Sequence, residues 1–117
     1  MRRLGDLERS VMEALWASSE PLTAKEIRSS LPGRSALTTV LTVLDRLERK
    51  GFVERDRAER AHRYRAARSK EEYVSELMME ALGETNDRAT ALVRFVESVG
   101  DADAKTLRDA LPAKGRR

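Results

Sequence analysis

Residues 36–50 constrain the fold of this chain more than any other stretch, because their apolar residues recur with the period of an α-helix. These residues stand at positions i, i+3, i+4 and i+7, so they form one stripe along one side of a helix. The opposite side carries small hydroxyl side chains, a solvent-side Leu41 and, towards its end, arginines. The stripe consists of Val40, Val43, Leu44 and Leu47, and the opposite side of Thr38, Thr42, Asp45, Arg46 and Arg49. The spacing predicts a helix with one buried side and one exposed side of unusual composition.

The exposed side of this helix suits close approach to another surface. Threonine is a slightly poor helix former, so helicity alone does not favour it here. Thr hydroxyls can bond phosphates or base edges, and Thr methyl groups can contact thymine methyls. The segment therefore predicts a recognition helix for the DNA major groove, with a solvated amphipathic helix as the alternative interpretation.

The positive charge of the chain is concentrated at the end of this helix and just after it. The 117 residues carry a net charge of +3, although 37% of them are charged. Residues 46–68 contain nine basic and four acidic residues, whereas residues 69–113 contain five basic and ten acidic ones. The net charges of +5 and −5 predict a nucleic-acid-binding half joined to a half with another role. A solvated basic face would give the same count.

Several classes of function are disfavoured by what the sequence lacks. It has no cysteine, hence no disulfide or thiolate site, and no apolar run approaches the ~20 residues of a membrane span. No apolar signal-peptide core is evident, so we expect a cytoplasmic protein without membrane insertion. His62 is the only histidine, and no carboxylate is placed to orient it. Without a glycine-rich phosphate loop or metal-ligand spacing, we predict no catalytic residue, metal, cofactor or enzymatic activity.

The N-terminal helices have recognisable ends. Asp6 is the predicted N-cap of a first helix that runs to about Ala17, with Trp16 as a core anchor. Thr23 and Glu26 form a capping box at the start of a short second helix. The helix of residues 36–50 follows, so the second and third helices together predict a helix-turn-helix motif.

A basic hairpin is predicted directly after the third helix. Gly51 ends that helix as its C-terminal cap. Residues 52–56 and 61–65 are strand candidates joined by a polar turn at residues 57–60. Three helices followed by a hairpin are the order of a winged helix-turn-helix domain, predicted over residues 1–68. The hairpin arginines expected beside the DNA phosphates are Arg57, Arg60 and Arg63.

From Ser69 onward the chain is again predicted to be helical, with apolar stripes separated by breaks at residues 83–87 and at Gly100. A segment of about 45 residues is too small to bury a core of its own, so its stripes need a partner. A second copy of the chain is the simplest partner, and packing against the N-terminal domain is the alternative. The residues predicted to form a dimer interface are Tyr73, Leu77, Leu92, Val93, Phe95, Val96 and Leu107.

These predictions combine into a mostly α-helical protein with a small β-hairpin. A winged helix-turn-helix DNA-binding domain occupies residues 1–68 and a helical dimerisation domain residues 69–113. A basic tail occupies residues 114–117.

The order of the motifs resembles the BlaI/MecI/CopY family of bacterial repressors, over nearly the whole chain. The sharpest part is the string Thr-Thr-Val-x-Thr-x-Leu-x-Arg-Leu at residues 38–47, followed by Lys50-Gly51. The likeness also includes Leu4-Gly5-Asp6-Leu7-Glu8, Val11-Met12, Leu15-Trp16, Arg60-Ala61-His62-Arg63-Tyr64 and a C-terminal Leu92-Val93-Arg94-Phe95-Val96.

This resemblance implies a homodimeric repressor that binds a short dyad-symmetric operator and blocks transcription. It implies base contacts by Thr38, Thr39 and Thr42, and backbone contacts by Arg46 and the hairpin arginines. The N-terminal part of a recognition helix enters the groove, which agrees with the three threonines. Arg49 and Lys50 lie further along, where phosphates are expected. Two-fold symmetry predicts half-sites about one helical turn, ~10 bp, apart.

Two departures from the family pattern concern the signal that releases the repressor. Copper-responsive members carry a cysteine-rich metal site, which this chain lacks. The β-lactam-responsive members are cut within the dimerisation helix, at an Asn-Phe bond, and a membrane sensor protease is the further partner that this implies. The matching pair here is Arg94-Phe95. Cutting there would separate the dimer and forfeit the affinity gained by linking two half-sites.

A second class of function stays open at the level of the sequence. A winged-helix protein-interaction module could use the basic hairpin to bind an acidic protein partner. Steep salt dependence and a preference for one palindromic site would favour the repressor, since a protein module would show neither with DNA.

Overall fold

The computed structural model describes residues 3–112, and the chain divides into two compact units, Met1–Leu77 and Met78–Arg117. Within the described residues, six helices and three short strands follow one another. They are α1 (Asp6–Ala17), β1 (Leu22–Thr23), α2 (Ala24–Ser30), α3 (Leu37–Lys50), β2 (Val53–Asp56), β3 (Arg63–Ala66), α4 (Lys70–Leu82), α5 (Arg88–Ser98) and α6 (Asp101–Ala110). The predicted mostly α-helical winged-helix fold is confirmed. The predicted basic tail, residues 114–117, lies outside the described residues.

Local hydrogen bonds explain where α2 and α3 begin and end. The predicted capping box of α2 is confirmed, because the Glu26 amide donates to Thr23 Oγ1 at 3.2 Å and the Thr23 amide donates to Glu26 Oε1 at 2.8 Å. Gly51 ends α3 in the left-handed region, at φ 85°, a conformation that costs little only for glycine. Its amide and that of Phe52 satisfy carbonyl groups of the last helical turn.

The start of α1 corrects one prediction. The N-cap is Gly5 rather than Asp6, which lies in the first turn. The Gly5 amide donates to Glu8 Oε1 at 2.8 Å, so the carboxylate three residues into the helix performs the capping that was assigned to Asp6.

The sheet has three antiparallel strands in the order β1–β3–β2. The predicted hairpin pairs Val53 with Ala66 and Asp56 with Arg63. Strand β1 was not predicted, because its two residues are too few to display alternation. This strand pairs Leu22 with Tyr64 and closes the sheet on the side of α2.

One hydrophobic core holds the N-terminal unit together. The apolar stripe of α3 is buried as predicted, and Val40, Leu44 and Leu47 are fully inaccessible to solvent. The remaining buried apolar residues come from α1, α2, α3, the hairpin and α4, and from the residues that follow α2 and α3. They are Val11, Met12, Leu15, Ala24, Ile27, Leu31, Val43, Phe52, Val53, Tyr64 and Tyr73. Trp16 packs against this core, and its indole N–H donates to the Arg68 carbonyl at 2.8 Å.

The beginning of α4 belongs to this core, which corrects the predicted dimer interface. Tyr73 is buried against Trp16 and Phe52, with ring centroids 5.8 Å away in both pairs. Its hydroxyl accepts a hydrogen bond from the Leu4 amide at 3.2 Å. Leu77 also packs against the core. The N-terminal unit therefore extends to Leu77 rather than to residue 68, and Tyr73 is not available to a second chain.

The C-terminal unit comprises the end of α4 together with α5 and α6. None of the residues of α5 or α6 is buried. Asp87 caps α5 by accepting a hydrogen bond from the Thr90 amide at 3.1 Å. Within residues 3–112, no helix is both long enough and apolar enough to cross a membrane.

Candidate nucleic-acid interface

The three predicted base-reading threonines lie on the exposed side of α3. Thr38, Thr39 and Thr42 are all solvent-exposed, while the opposite side of the helix is packed into the core. The Thr42 hydroxyl donates to the Thr38 carbonyl at 2.9 Å, so its proton is used within the helix. Thr42 therefore presents two acceptor lone pairs and a methyl group to its surroundings.

The N-terminus of α3 also carries unsatisfied donors. Its N-cap is Ala36, whose side chain can accept no hydrogen bond from the first turn. The free amide groups of that first turn form the positive end of the helix dipole. This end of α3 favours an anion nearby, and it lies beside Thr38 and Thr39.

The predicted phosphate-binding cations fall into two groups in the structure. Arg46, Arg49 and Arg60 are exposed and form no side-chain hydrogen bond or ion pair with any of residues 3–112. Lys25, which the sequence analysis did not select, is in the same condition on α2. Its position in the first turn of α2, within the predicted helix-turn-helix motif, could have indicated Lys25 as a further phosphate-binding cation.

The second group of predicted cations is already paired within the chain. Arg57 lies 3.4 Å from the Glu48 carboxylate, and Arg63 lies 3.1 Å from Glu59. A second carboxylate, that of Glu26, lies 3.7 Å from Arg63. These pairs offset part of the positive charge that the sequence assigns to the hairpin. A role of Arg57 and Arg63 at the phosphates stays a prediction.

Lys50 has a partner that the sequence did not reveal. Its ammonium donates to both carboxylate oxygens of Glu8, at 3.0 and 2.9 Å. Glu8 is the buried charged residue of the core, with its side chain only 6% exposed. Burial opposes ionisation of Glu8, but the Gly5 amide and Lys50 outweigh that effect, so the pKa of Glu8 lies below its usual value. Lys50 thus joins the end of α3 to the start of α1.

Arg55 joins the hairpin to the recognition helix. Its guanidinium bonds Asp45 and lies 3.2 Å from Glu48, both on α3, and 5.1 Å from the centre of the Tyr64 ring. Burial lowers the pKa of Arg55, yet the hydrogen bond to Asp45 and the nearby negative charges raise it above its usual value. Strand alternation could have indicated this role, since Arg55 lies on the same face of β2 as the buried Val53.

Two grooves flank α3. The first, of about 400 Å³, separates α3 from the start of α1 and is lined by Glu8, Thr39, Thr42 and Arg46 among others. The second, of about 310 Å³, lies between α3, α2 and the hairpin. Its walls include Leu37, Leu41 and Ala61. Helix α3 is thus open on both sides of its exposed face.

Comparison with solved structures identifies the fold. A MarR family protein from Bacillus stearothermophilus has a TM-score of 0.50 and 24% identity, covering 92% of this chain and 70% of that chain. An ArsR-like transcriptional regulator from Rhodococcus sp. RHA1 has a TM-score of 0.52 and 22% identity, covering 79% of this chain and 82% of that chain. At these identities the likeness concerns the fold alone, and that fold is a winged helix.

Comparison by sequence gives the family. The family model described as penicillinase repressor matches residues 4–113. The transcriptional regulator BlaI of Mycobacterium tuberculosis, in strains CDC 1551 and H37Rv, is 47% identical over 116 residues, which cover 95% of this chain and 84% of the relative. The chain belongs to the penicillinase repressor family, and the resemblance stated from its motifs is confirmed. Its broad role is that of a DNA-binding transcriptional repressor.

Proposed function

We propose that this protein is a homodimeric repressor that binds a dyad-symmetric operator and blocks transcription. The observation that carries the proposal is the exposed side of α3, where three threonines lie beside Arg46 and Arg49, neither of which forms a side-chain hydrogen bond or ion pair with residues 3–112. A solvated surface helix gains nothing from this combination, whereas a helix in the major groove uses short side chains at the bases and cations at the phosphates.

The proposed contacts divide by chemistry. Thr38, Thr39 and Thr42 face the base edges, and Arg46, Arg49 and Arg60 bind phosphates. Because the Thr42 proton is donated to the Thr38 carbonyl, Thr42 accepts from an amino group of adenine or cytosine, or contacts a thymine methyl. Thr42→Ala should erode discrimination between operator and random duplex more than it lowers affinity for random duplex. An equal loss on both, measured by fluorescence anisotropy, would contradict the assignment.

The C-terminal helices support dimerisation. Eight large apolar side chains of this unit remain between 38% and 58% exposed in the single chain, and exposed apolar patches mark interaction sites. They include the predicted interface residues Leu92, Val93, Phe95, Val96 and Leu107, and also Met78, Met79 and Leu111. A second copy of the same surface buries them in an isologous interface.

Selection of bound sequences from a random duplex pool tests the operator, with sedimentation of the same preparation to establish its oligomeric state. We expect a two-fold symmetric site with half-sites ~10 bp apart, bound by a dimer. A folded dimer that enriches no sequence would contradict sequence-specific repression. A monomer that enriches a single half-site would contradict the dimer.

Proteolysis of α5 is the release step that we propose. The Arg94–Phe95 bond lies in the middle of this helix, between the apolar pairs Leu92–Val93 and Phe95–Val96. Cutting it would divide the proposed interface, and the separated chains would lose the gain in affinity from two linked half-sites. Immunoblots and mass spectrometry under conditions that relieve repression should detect a fragment ending at Arg94. Relief of repression with the chain intact would contradict this step, and with it the membrane sensor protease that the family resemblance implies.

The alternative, a module that binds an acidic protein through its hairpin, has less support from the charges. Arg57, Arg63 and Arg65 are each within 3.4 Å of a carboxylate of the same chain, which lowers the charge available to an acidic partner. Salt dependence separates the two functions, since only the repressor should lose affinity for its duplex steeply as salt rises.

A further inference from the structure

The groove between α3 and the hairpin has an apolar wall inside the predicted DNA-binding face. Leu37 and Leu41 come from the N-terminal half of α3, and Ala61 from the hairpin loop. Leu41 remains 37% exposed, although a leucine on the exposed side of a helix is usually replaced by a polar residue. A single exposed leucine needs no explanation, but one that lines a concave groove between two DNA-contacting elements does.

The rim of this groove is basic. Lys25 and Arg60 line it, and neither has a side-chain hydrogen bond or ion pair with residues 3–112. His62 lies on the same rim. The groove therefore combines an apolar floor with cations at its edge. The cations favour a polyanion, and the apolar floor favours a small apolar group on that polyanion.

Duplex DNA has one such group in the major groove, the C5-methyl of thymine. We propose that this groove recognises a thymine of the operator through its C5-methyl group, with Leu41 as a specificity-determining residue and with Lys25 and Arg60 binding neighbouring phosphates. The inference rests on the proposed operator binding and adds a base to its readout. Leu41 lies one position before Thr42 and three after Thr38, so the leucine and the threonines face adjacent bases.

Uracil differs from thymine only by the missing methyl group, which provides a test at the level of one carbon atom. Each thymine of the selected operator is replaced in turn by uracil, and affinity is measured for the wild-type dimer and for Leu41→Ala. We expect one thymine per half-site whose replacement weakens wild-type binding about fourfold, the value for one buried methyl group. With Leu41→Ala the same replacement should have no effect, because the apolar contact is already lost.

Two control variants separate recognition from structure. Leu41→Met keeps an apolar side chain of similar volume and should retain the difference between thymine and uracil. Val74→Ala removes a similarly exposed apolar side chain outside the groove and should leave the uracil profile unchanged. Lys25→Gln should weaken binding to operator and random duplex by the same factor.

The outcomes are distinct. Failure of the wild-type protein to bind any selected duplex overturns operator binding and this inference together. Operator binding with the same uracil profile in wild type and Leu41→Ala overturns the inference and leaves the proposed function standing. An equal loss of affinity of Leu41→Ala for every duplex also overturns the inference, since Leu41 would then support the fold and not recognise a base.

Discussion

The two units of this chain differ in how far they bury their apolar residues. The N-terminal unit buries its apolar stripes within one chain, down to fully inaccessible residues on α1, α2 and α3. In the C-terminal unit, α5 and α6 bury none of theirs. The stability of the first unit should therefore be a property of one chain, while that of the second should depend on protein concentration. Four pairs of substitutions test or refine this contrast, in order of decreasing effect.

Leu44→Ala should destabilise the N-terminal unit by about 2–5 kcal/mol, because it leaves a cavity where a side chain is fully buried. Denaturant unfolding followed by Trp16 fluorescence measures the loss. The cost should be the same at low and high protein concentration. Leu41→Ala, on the exposed side of the same helix, is the matched control and should cost under about 1 kcal/mol. A concentration-dependent cost for Leu44→Ala would break the contrast.

Val96→Asp should weaken association between chains, whereas Leu44→Ala should weaken the fold of a single chain. Val96 is 56% exposed in the single chain, so a carboxylate there is tolerated by the monomer but would be unpaired inside a dimer interface. We expect the dimer dissociation constant to rise by about 100-fold or more. Sedimentation velocity measures it, with Glu97→Ala on the same helix as control. A Val96→Asp protein that stays dimeric would place the interface elsewhere.

The Glu8–Lys50 pair should make the unfolding free energy of the N-terminal unit depend on pH. The pKa of Glu8 is lower in the folded chain than the value of 4.5 expected when unfolded. Its stabilisation is therefore complete above pH 4.5 and is lost as pH falls through the folded pKa. Glu8→Gln should lower the unfolding free energy by about 1–2 kcal/mol at pH 7 and flatten its decline as the pH falls below 4.5.

Glu13→Gln is the control for this pair. Glu13 also has a lowered pKa, caused first by its hydrogen bond to Lys70, but its side chain is largely solvated. Solvent screening limits its contribution to about 0–0.5 kcal/mol. Equal effects of the two substitutions in urea titrations would mean that burial of Glu8 adds nothing.

The smallest expected effects concern the salt dependence of DNA binding. They should differ between an arginine that is paired with a carboxylate of the same chain and one that is not. Arg49→Gln should reduce the slope of log affinity against log salt concentration by about 0.9, the value for one lost phosphate contact. Arg63→Gln should reduce the slope by less, because Glu59 already lies 3.1 Å from Arg63. Binding to a random duplex at several salt concentrations measures both slopes. A larger effect at Arg63 would show that its internal pairs open on DNA.

Local patterns in the sequence predicted the parts of this structure that depend on local physics. The stripe of Val40 to Leu47, the capping box at Thr23 and the glycine cap at Gly51 follow from helical period and backbone geometry. The stripe of α4 predicted a buried side but not its partner, so Tyr73 was assigned to a dimer instead of the N-terminal core. The pairing of Lys50 with Glu8 and the contacts of Arg55 were missed because the partners lie on other elements, and spacing along the chain does not report such pairs.

The Glu8–Lys50 pair also restricts the order in which this protein can change over generations. The two residues are 42 positions apart, and the side chain of Glu8 is 6% exposed against 34% for Lys50. Loss of Lys50 first would strand a carboxylate inside the core, whereas loss of Glu8 first leaves an ammonium that can turn to water. Lineages that abandon this pair should therefore replace Glu8 before Lys50, so sequences with a neutral residue at position 8 and Lys50 should be commoner than the reverse combination.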